Sequence, residues 1–157
     1  WGTPYVKDGV VYAIDQKTGV ALKLPSEAGD SLELEVLWKN RGHKDRVYAS
    51  TIEVDGILYA MGGHGSKLLI AMDAKTGETI YEQKMDFDHR QSYSSIVLAG
   101  EHLLISSESG QCAIVKPGRS FELVRMNDLG EGYRTTPIIE HDRIFIRAFK
   151  HMFCIGK

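Results

Sequence analysis

The chain repeats a short pattern four times, and this internal repeat constrains its fold more than any other feature. Each copy reads as an apolar strand, a tight turn and a second apolar strand. The copies begin at Thr3, Ser50, Ser94 and Thr136. Their turns contain Gly9, Gly56, Gly100 and Asp142, which are 47, 44 and 42 residues apart. A period of about 40–50 residues with about four strands per unit is typical of β-propeller blades.

The turns and the later segments of each unit favour strands throughout. Asp8-Gly9 and Asp55-Gly56 favour two-residue hairpins, because glycine adopts positive φ at little cost. In the second unit, 68–73 and 79–84 predict a third and a fourth strand. No window shows the 3.6-residue period of a helix. The sequence therefore predicts an all-β propeller of four-stranded antiparallel blades; a β-helix and a sandwich are the structural alternatives.

The fourth unit ends after its third strand, so the chain contains about 3.75 blades. We place the blades at 1–40, 41–86, 87–130 and 131–157, in a single partial propeller domain. Only Trp1 and Gly2 precede the first hairpin, which is too short for a closing outer strand. Because the first residue is not Met, we expect the natural N-terminus to be missing. The open edge would then pair with a missing N-terminal half or with another chain.

The second unit carries Ala71, Asp73, Gly77 and Tyr81 in the pattern A-x-D-x-x-x-G-x-x-x-aromatic. This resembles the blade-docking motif of the quinoprotein-like, or pyrroloquinoline-quinone repeat, β-propeller family, with Tyr81 where Trp is usual. The resemblance implies that the aromatic ring packs on the neighbouring blade, while Asp and Gly order the turn. Trp38 occupies the corresponding aromatic place in the first unit. Residues 13–19 match the same letters, but we interpret them as a strand end and a hairpin turn.

The family resemblance implies seven or eight blades, so we expect this chain to be the C-terminal part of a longer propeller. It also implies a periplasmic or secreted location. The family includes quinone-dependent dehydrogenases and non-enzymatic propellers that bind proteins, such as the outer-membrane assembly lipoprotein. We expect a binding or scaffold module, with no catalytic residues in this segment. The alternative is a fragment of a pyrroloquinoline-quinone-dependent alcohol or sugar dehydrogenase whose catalytic residues lie outside it.

Cofactor residues of the dehydrogenases are missing from the sequence. Those enzymes hold the quinone with a vicinal cysteine pair, a tryptophan platform and acidic calcium ligands. Here the cysteines are Cys112 and Cys154, far apart in the chain, and we interpret both as buried structural thiols. We therefore expect no cofactor, and quinone and calcium only under the alternative. The formal net charge of −2 gives no reason to expect nucleic-acid binding, and no apolar run is long enough for a membrane helix.

Candidate binding residues lie in the loops between blades and between second and third strands, which a propeller gathers on one face around its channel. Many of them are basic or histidine: His43, Lys44, Arg46, His64, His89, Arg90, Arg134 and Lys150. They indicate a protein partner or a small polar or anionic ligand at the channel face. Solvated, paired loop charges are the plainer interpretation, and carbohydrate binding is a third. The histidines, with Asp86 or Asp88, match no recognised metal spacing.

Overall fold

A computed structural model describes residues 2–15, 18–27, 34–40, 46–63, 65–88 and 91–156. Within these ranges the regular elements are all strands. They are β1 (Tyr5–Lys7), β2 (Val10–Asp15), β3 (Thr18–Lys23), β4 (Glu35–Asn40), β5 (Ile52–Val54), β6 (Ile57–Met61), β7 (Leu68–Asp73), β8 (Thr79–Lys84), β9 (Val97–Ala99), β10 (His102–Ser106), β11 (Gln111–Lys116), β12 (Glu122–Asp128), β13 (Ile138–Glu140), β14 (Arg143–Arg147) and β15 (Met152–Gly156).

The strands form four antiparallel sheets, each made of neighbours in sequence. They are β1–β4, β5–β8, β9–β12 and β13–β15, so that three sheets have four strands and the last has three. We call these sheets blades 1 to 4. The prediction of an all-β partial propeller, with a fourth blade that lacks an outer strand, is confirmed. No described helix is long and apolar enough to cross a membrane.

The hairpins follow the turn chemistry of the sequence. Asp8 and Gly9 have φ values of 50° and 74°, and Asp55 and Gly56 have 50° and 79°. Two consecutive positive φ angles are the geometry of a type I′ turn, whose twist matches that of the flanking strands. In blade 1, β2 pairs with β3 up to Asp15 and Thr18. The described part of the matching segment 13–19 is therefore the end of β2 and the start of its antiparallel neighbour β3, as interpreted. Positions 16 and 17 lie outside the described residues.

Blades pack face to face through the second and third strands. One buried cluster joins blades 1 and 2, with Trp38, Leu58 and Met72 among its members. A second joins blades 2 and 3, including Tyr59 and Leu103. A much smaller third cluster contains Tyr133, Ile146 and Ala148. The core is thus a series of inter-blade layers rather than one central mass.

The outer strands and turns lock neighbouring blades together. The indole nitrogen of Trp38 in blade 1 donates to the carbonyl of Ala74 in blade 2, at 2.9 Å. Its ring covers Gly77, where an added Cβ would come within 2.5 Å of the ring. Asp73 Oδ1 accepts hydrogen bonds from the amides of Lys75 and Thr76, at 3.0 and 3.2 Å, and so orders the same turn.

The expectation of two buried thiols is wrong for Cys154. Both cysteines are free; Cys112 is half-buried and Cys154 is exposed. The reason lies in the sheet order, since β15 is the edge strand of blade 4 and carries Cys154 in its middle. An apolar alternating sequence does not reveal whether its strand is central or at an edge.

Candidate functional site

Two sets of loops meet at one end of the blades. These are the connections between blades and the loops between second and third strands, and we call their described residues the loop face. One hydrogen bond recurs there. The amides of Gly63, Glu108 and Phe149 donate to the carbonyls of Arg46, Gln91 and Gly132, at 2.6, 3.1 and 3.1 Å. In each pair the partners are 17 residues apart, so the same scaffold supports the loop face in blades 2, 3 and 4.

Three side chains on this scaffold form a stack that crosses blades 2, 3 and 4. Tyr48, Tyr93 and Arg134 each lie two residues after the accepting carbonyl. The rings of Tyr48 and Tyr93 stack with centroids 5.4 Å apart and planes inclined by 17°. The guanidinium carbon of Arg134 lies 4.9 Å from the centroid of the Tyr93 ring, within the range of a cation–π contact. We call these three residues the loop-face row.

Arg134 is held from several sides. Its Nε donates to Glu108 Oε1 at 2.7 Å, and its Nη2 lies 2.5 Å from the same oxygen. The ring of Phe149 is 5.9 Å from the guanidinium carbon. Glu108 raises the pKa of Arg134 further, first through this hydrogen bond and then through its charge. Contacts with Glu108 and Phe149 therefore fix the position of the guanidinium.

A chain of hydroxyl contacts fixes the backbone beneath the row. The amide of Thr3 donates to Ser50 Oγ at 3.0 Å, that of Ser50 to Ser95 Oγ at 3.1 Å, and that of Ser95 to Thr136 Oγ1 at 3.0 Å. These residues hold the same place in the four blades, just before each first strand. The Ser/Thr-rich start of each repeat thus connects blade to blade.

Several other polar and charged groups of the described loop face have partners. His151 Nδ1 lies 2.6 Å from Glu131 Oε2, and the amide of Lys150 donates to the same carboxylate. The hydrogen bond from His151 is the main reason that the pKa of Glu131 is lowered. The ammonium of Lys67 donates to the carbonyl of Phe87. Among the described residues, no group of three His, Cys, Asp or Glu side chains could hold a metal ion.

The predicted site residues divide into two groups. Arg46, Arg134 and Lys150 are on the described loop face, and Arg134 belongs to the row. The other five predicted residues lie outside the described residues: His43, Lys44, His64, His89 and Arg90. Sequence reasoning missed Tyr48 and Tyr93. Aligning the repeats would have shown them, because each stands four residues before the first strand of its blade.

The opposite face carries a second concentration of charge. A cleft of about 750 Å³ there is lined by residues of blades 1, 2 and 3, including Lys7, Glu53, Asp73 and Arg119. Four of its charged residues form two ion pairs: Lys7 lies 2.5 Å from buried Glu53, and Arg119 lies 3.2 Å from Asp73. These two ion pairs connect neighbouring blades and have a structural role.

Comparison with known proteins identifies the fold. No family model and no curated protein sequence matches the chain. Among solved structures, BamB from Moraxella catarrhalis superposes with a TM-score of 0.74 at 12% identity, over 99% of this chain and 46% of that one. A europium-containing methanol dehydrogenase superposes with a TM-score of 0.58 at 14% identity, over 80% of this chain and 24% of the enzyme. The chain shares the β-propeller fold of these two proteins and spans less than half the length of either one.

Proposed function

We propose that this chain is a binding module whose loop face holds a protein partner, and that the loop-face row is the centre of the contact. The observation that carries the proposal is the continuous stack of Tyr48, Tyr93 and Arg134 across three blades. Tyrosine and arginine are the residue types that most often dominate the energy of protein–protein contacts. A row supported by repeated backbone bonds also loses little conformational entropy on binding.

The pairing of Arg134 with Glu108 favours a protein over a small anion. The carboxylate of Glu108 lies 2.5 Å from the guanidinium and balances its charge. An anionic ligand would therefore have to compete with Glu108. A protein surface can instead stack apolar or aromatic side chains on the row and accept hydrogen bonds from the guanidinium, which has five N–H groups. The proposed role uses neither pyrroloquinoline quinone nor calcium. We place it in the periplasm or outside the cell, by the resemblance of the repeats alone.

Site-specific photo-crosslinking in cells of the source organism tests this proposal. A photoreactive amino acid replaces Lys150, which is exposed on the loop face, or Lys75, which is exposed on the opposite face. We expect a discrete adduct with one protein from position 150 and none from position 75. Mass spectrometry of the adduct then identifies the partner.

Two arginine variants provide the matched control. Arg134→Ala and Arg119→Ala each remove an exposed arginine from an ion pair, the first on the loop face and the second on the opposite face. Arg134→Ala should lower the affinity for the partner about 30-fold or more, and the yield of the adduct with it, since hot-spot truncations cost about 2 kcal/mol or more. Arg119→Ala should leave it unchanged. Equal adducts from both faces, or an adduct insensitive to both Arg134→Ala and Tyr93→Ala, would show that the row is not the binding centre.

A further inference from the structure

The interface between blades 3 and 4 is packed differently from the one before it. In the interface between blades 2 and 3, Tyr59, Met61 and Leu69 fill the space, and none of them is more than 1% exposed. The strand register identifies their counterparts in blade 3. In blade 2, Tyr59 pairs with Ala71, and a β-bulge follows Ala71. In blade 3, Leu104 pairs with Ile114, and a β-bulge follows Ile114. Tyr59 and Leu104 therefore hold the same place in their blades.

The counterparts in blade 3 are smaller or more polar. Leu104 stands where blade 2 has Tyr59, Ser106 where it has Met61, and Cys112 where it has Leu69. The facing residues of blade 4 are not large enough to fill the space that these smaller side chains leave. Ile144 and Ile146 correspond to Leu103 and Ile105 of blade 3 and have similar size.

A cleft of about 330 Å³ remains between the two blades. Its walls are mostly aliphatic, with Leu104, Ile114, Ile144 and Ile146 among them, and it reaches the exposed Ile155 of β15. Cavities of about 300 Å³ and more are large enough to hold small organic ligands, and an aliphatic cavity of half that size already binds benzene. The space is therefore of the size of a small ring compound.

Four polar residues also line the cleft: Cys112, Asn127, Asp128 and Tyr133. Asn127 and Asp128 are exposed, whereas the Tyr133 side chain is buried. Tyr133 is 1% exposed and lines the cleft, and its hydroxyl donates to Ser106 Oγ at 2.9 Å. A phenolic oxygen that donates one hydrogen bond can still accept another. Burial raises the pKa of both Tyr133 and Cys112, so both stay protonated at neutral pH. The buried part of the wall is thus suited to an uncharged ligand that donates one hydrogen bond.

We propose that this inter-blade cleft is a binding site for a small uncharged ring compound of the size of phenol or indole. The ring lies among Leu104, Ile114, Ile144 and Ile146, and its O–H or N–H donates to the oxygen of Tyr133. The ligand takes the place that the larger side chains of blade 2 occupy in the preceding interface. The site is separate from the loop-face row, and its occupancy does not depend on the proposed partner.

Titration of the full chain with phenol and with benzene, followed by NMR of the isoleucine methyl groups, tests this site. Both probes should shift the signals of Ile144 and Ile146. Phenol should bind about threefold to tenfold more tightly than benzene, which is what one additional hydrogen bond provides. Tyr133→Phe should abolish this preference and leave benzene binding in place.

Filling the cleft gives the second arm of the experiment. Cys112→Leu introduces the residue that the preceding interface has at this place. Leu104→Phe fills the cleft from another point of the same wall. If one variant does not fold, the other suffices for the test. Either change should abolish binding of both probes. Arg134→Ala should leave binding unchanged, which separates this site from the proposed partner site. Absence of phenol shifts at Ile144 and Ile146 at millimolar concentration, or unaltered binding to a folded, filled variant, would overturn the proposal.

Discussion

Two tyrosines of blade 2 carry the same hydroxyl group into different surroundings. The hydroxyl of Tyr59 accepts from the amide of Gly118 at 2.8 Å and faces its carbonyl at 3.3 Å. The hydroxyl of Tyr81 is buried and has no hydrogen-bond partner among the described residues, although its ring packs edge-on against Phe121. Tyr81 stands where blade 1 has Trp38, whose indole N–H is bonded. A tyrosine in this place therefore keeps the packing of the aromatic ring and loses the hydrogen bond.

The two tyrosines should respond differently to loss of the hydroxyl group. Tyr59→Phe should lower the free energy of unfolding by about 1 kcal/mol, because it removes the hydrogen bond of the half-buried Gly118 amide. Tyr81→Phe should change it by less than about 0.5 kcal/mol or raise it, because no bond is lost. Urea denaturation of the two variants, compared with the unmodified chain, measures both effects. An equal loss of stability in the two variants would contradict the assignment.

The buried hydroxyl of Tyr81 also predicts how the stability of the chain responds to alkaline pH. Burial raises the pKa of Tyr81 to about 12, from the ordinary value of 10. The folded state thus holds the phenolic proton more tightly than the unfolded state does. This difference in the pKa of Tyr81 stabilises the folded state. The stabilisation is fully present below pH 10 and is lost as the pH rises from 10 to 12. Denaturation at pH 9 and pH 11 should show a smaller loss in Tyr81→Phe than in the unmodified chain; identical losses would refute this.

At the scale of elements, the turn between β7 and β8 is the surface on which blade 1 docks. Trp38 covers Gly77, and the side-chain amide of Asn40 donates to the carbonyl of Gly77 at 2.6 Å. From the other side, Arg119 of blade 3 reaches Asp73 at 3.2 Å, and this contact is the main reason that the pKa of Asp73 is lowered. One turn therefore connects three blades.

Two glycines with similar backbone conformations distinguish the cost of backbone strain from the cost of disturbing the contact with Trp38. Gly56 and Gly77 have φ values of 79° and 74°, but an added Cβ would meet nothing within 4 Å at Gly56 and the Trp38 ring at 2.5 Å at Gly77. Gly56→Ala should cost about 1–2 kcal/mol, the cost of the left-handed conformation alone. Gly77→Ala should cost more, because the Trp38 ring must move. Urea denaturation measures both costs.

A double-mutant cycle identifies the source of the additional cost. In the background of Trp38→Ala, Gly77→Ala should cost no more than Gly56→Ala, because the clashing ring is absent. If the additional cost persists without the ring, the strain at Gly77 is local to the turn and the docking contact has no part in it.

At the scale of the whole molecule, stability is distributed unevenly over the interfaces between blades. The clusters between blades 1 and 2 and between blades 2 and 3 are extensive, whereas that between blades 3 and 4 contains three buried members among the described residues. Blade 4 also ends in an edge strand whose Met152 and Ile155 are 65% and 47% exposed. Segments with few buried contacts open at lower free energy than the rest of a protein.

Native-state hydrogen exchange should show this gradient. Amides that pair β14 with β15 should exchange faster than those that pair β6 with β7 or β10 with β11. Cys112→Leu, which fills the cleft beside blade 4, should slow exchange in β14 and leave β6 unchanged. Uniform protection across the four blades would show that the chain opens only as a whole.

The sequence by itself determined the blades. Period, turn dipeptides and strand alternation act over a few residues, because a type I′ turn needs positive φ at neighbouring positions and a strand needs alternation along its own length. Asp55-Gly56 and the strands at 68–73 and 79–84 were therefore predicted from local signals. The position of Arg134 in an inter-blade loop followed from the same local signals, and its role in binding stays a prediction.

Only the tertiary structure decided which side chains of different blades meet and which strand lies at an edge. The loop-face row joins residues 45 and 41 positions apart, and the cleft depends on which side chains face each other across two sheets. The exposure of Cys154 depends on the position of β15 at an edge. These features arise because packing and stacking are relations between distant segments, which a pattern along one strand does not contain.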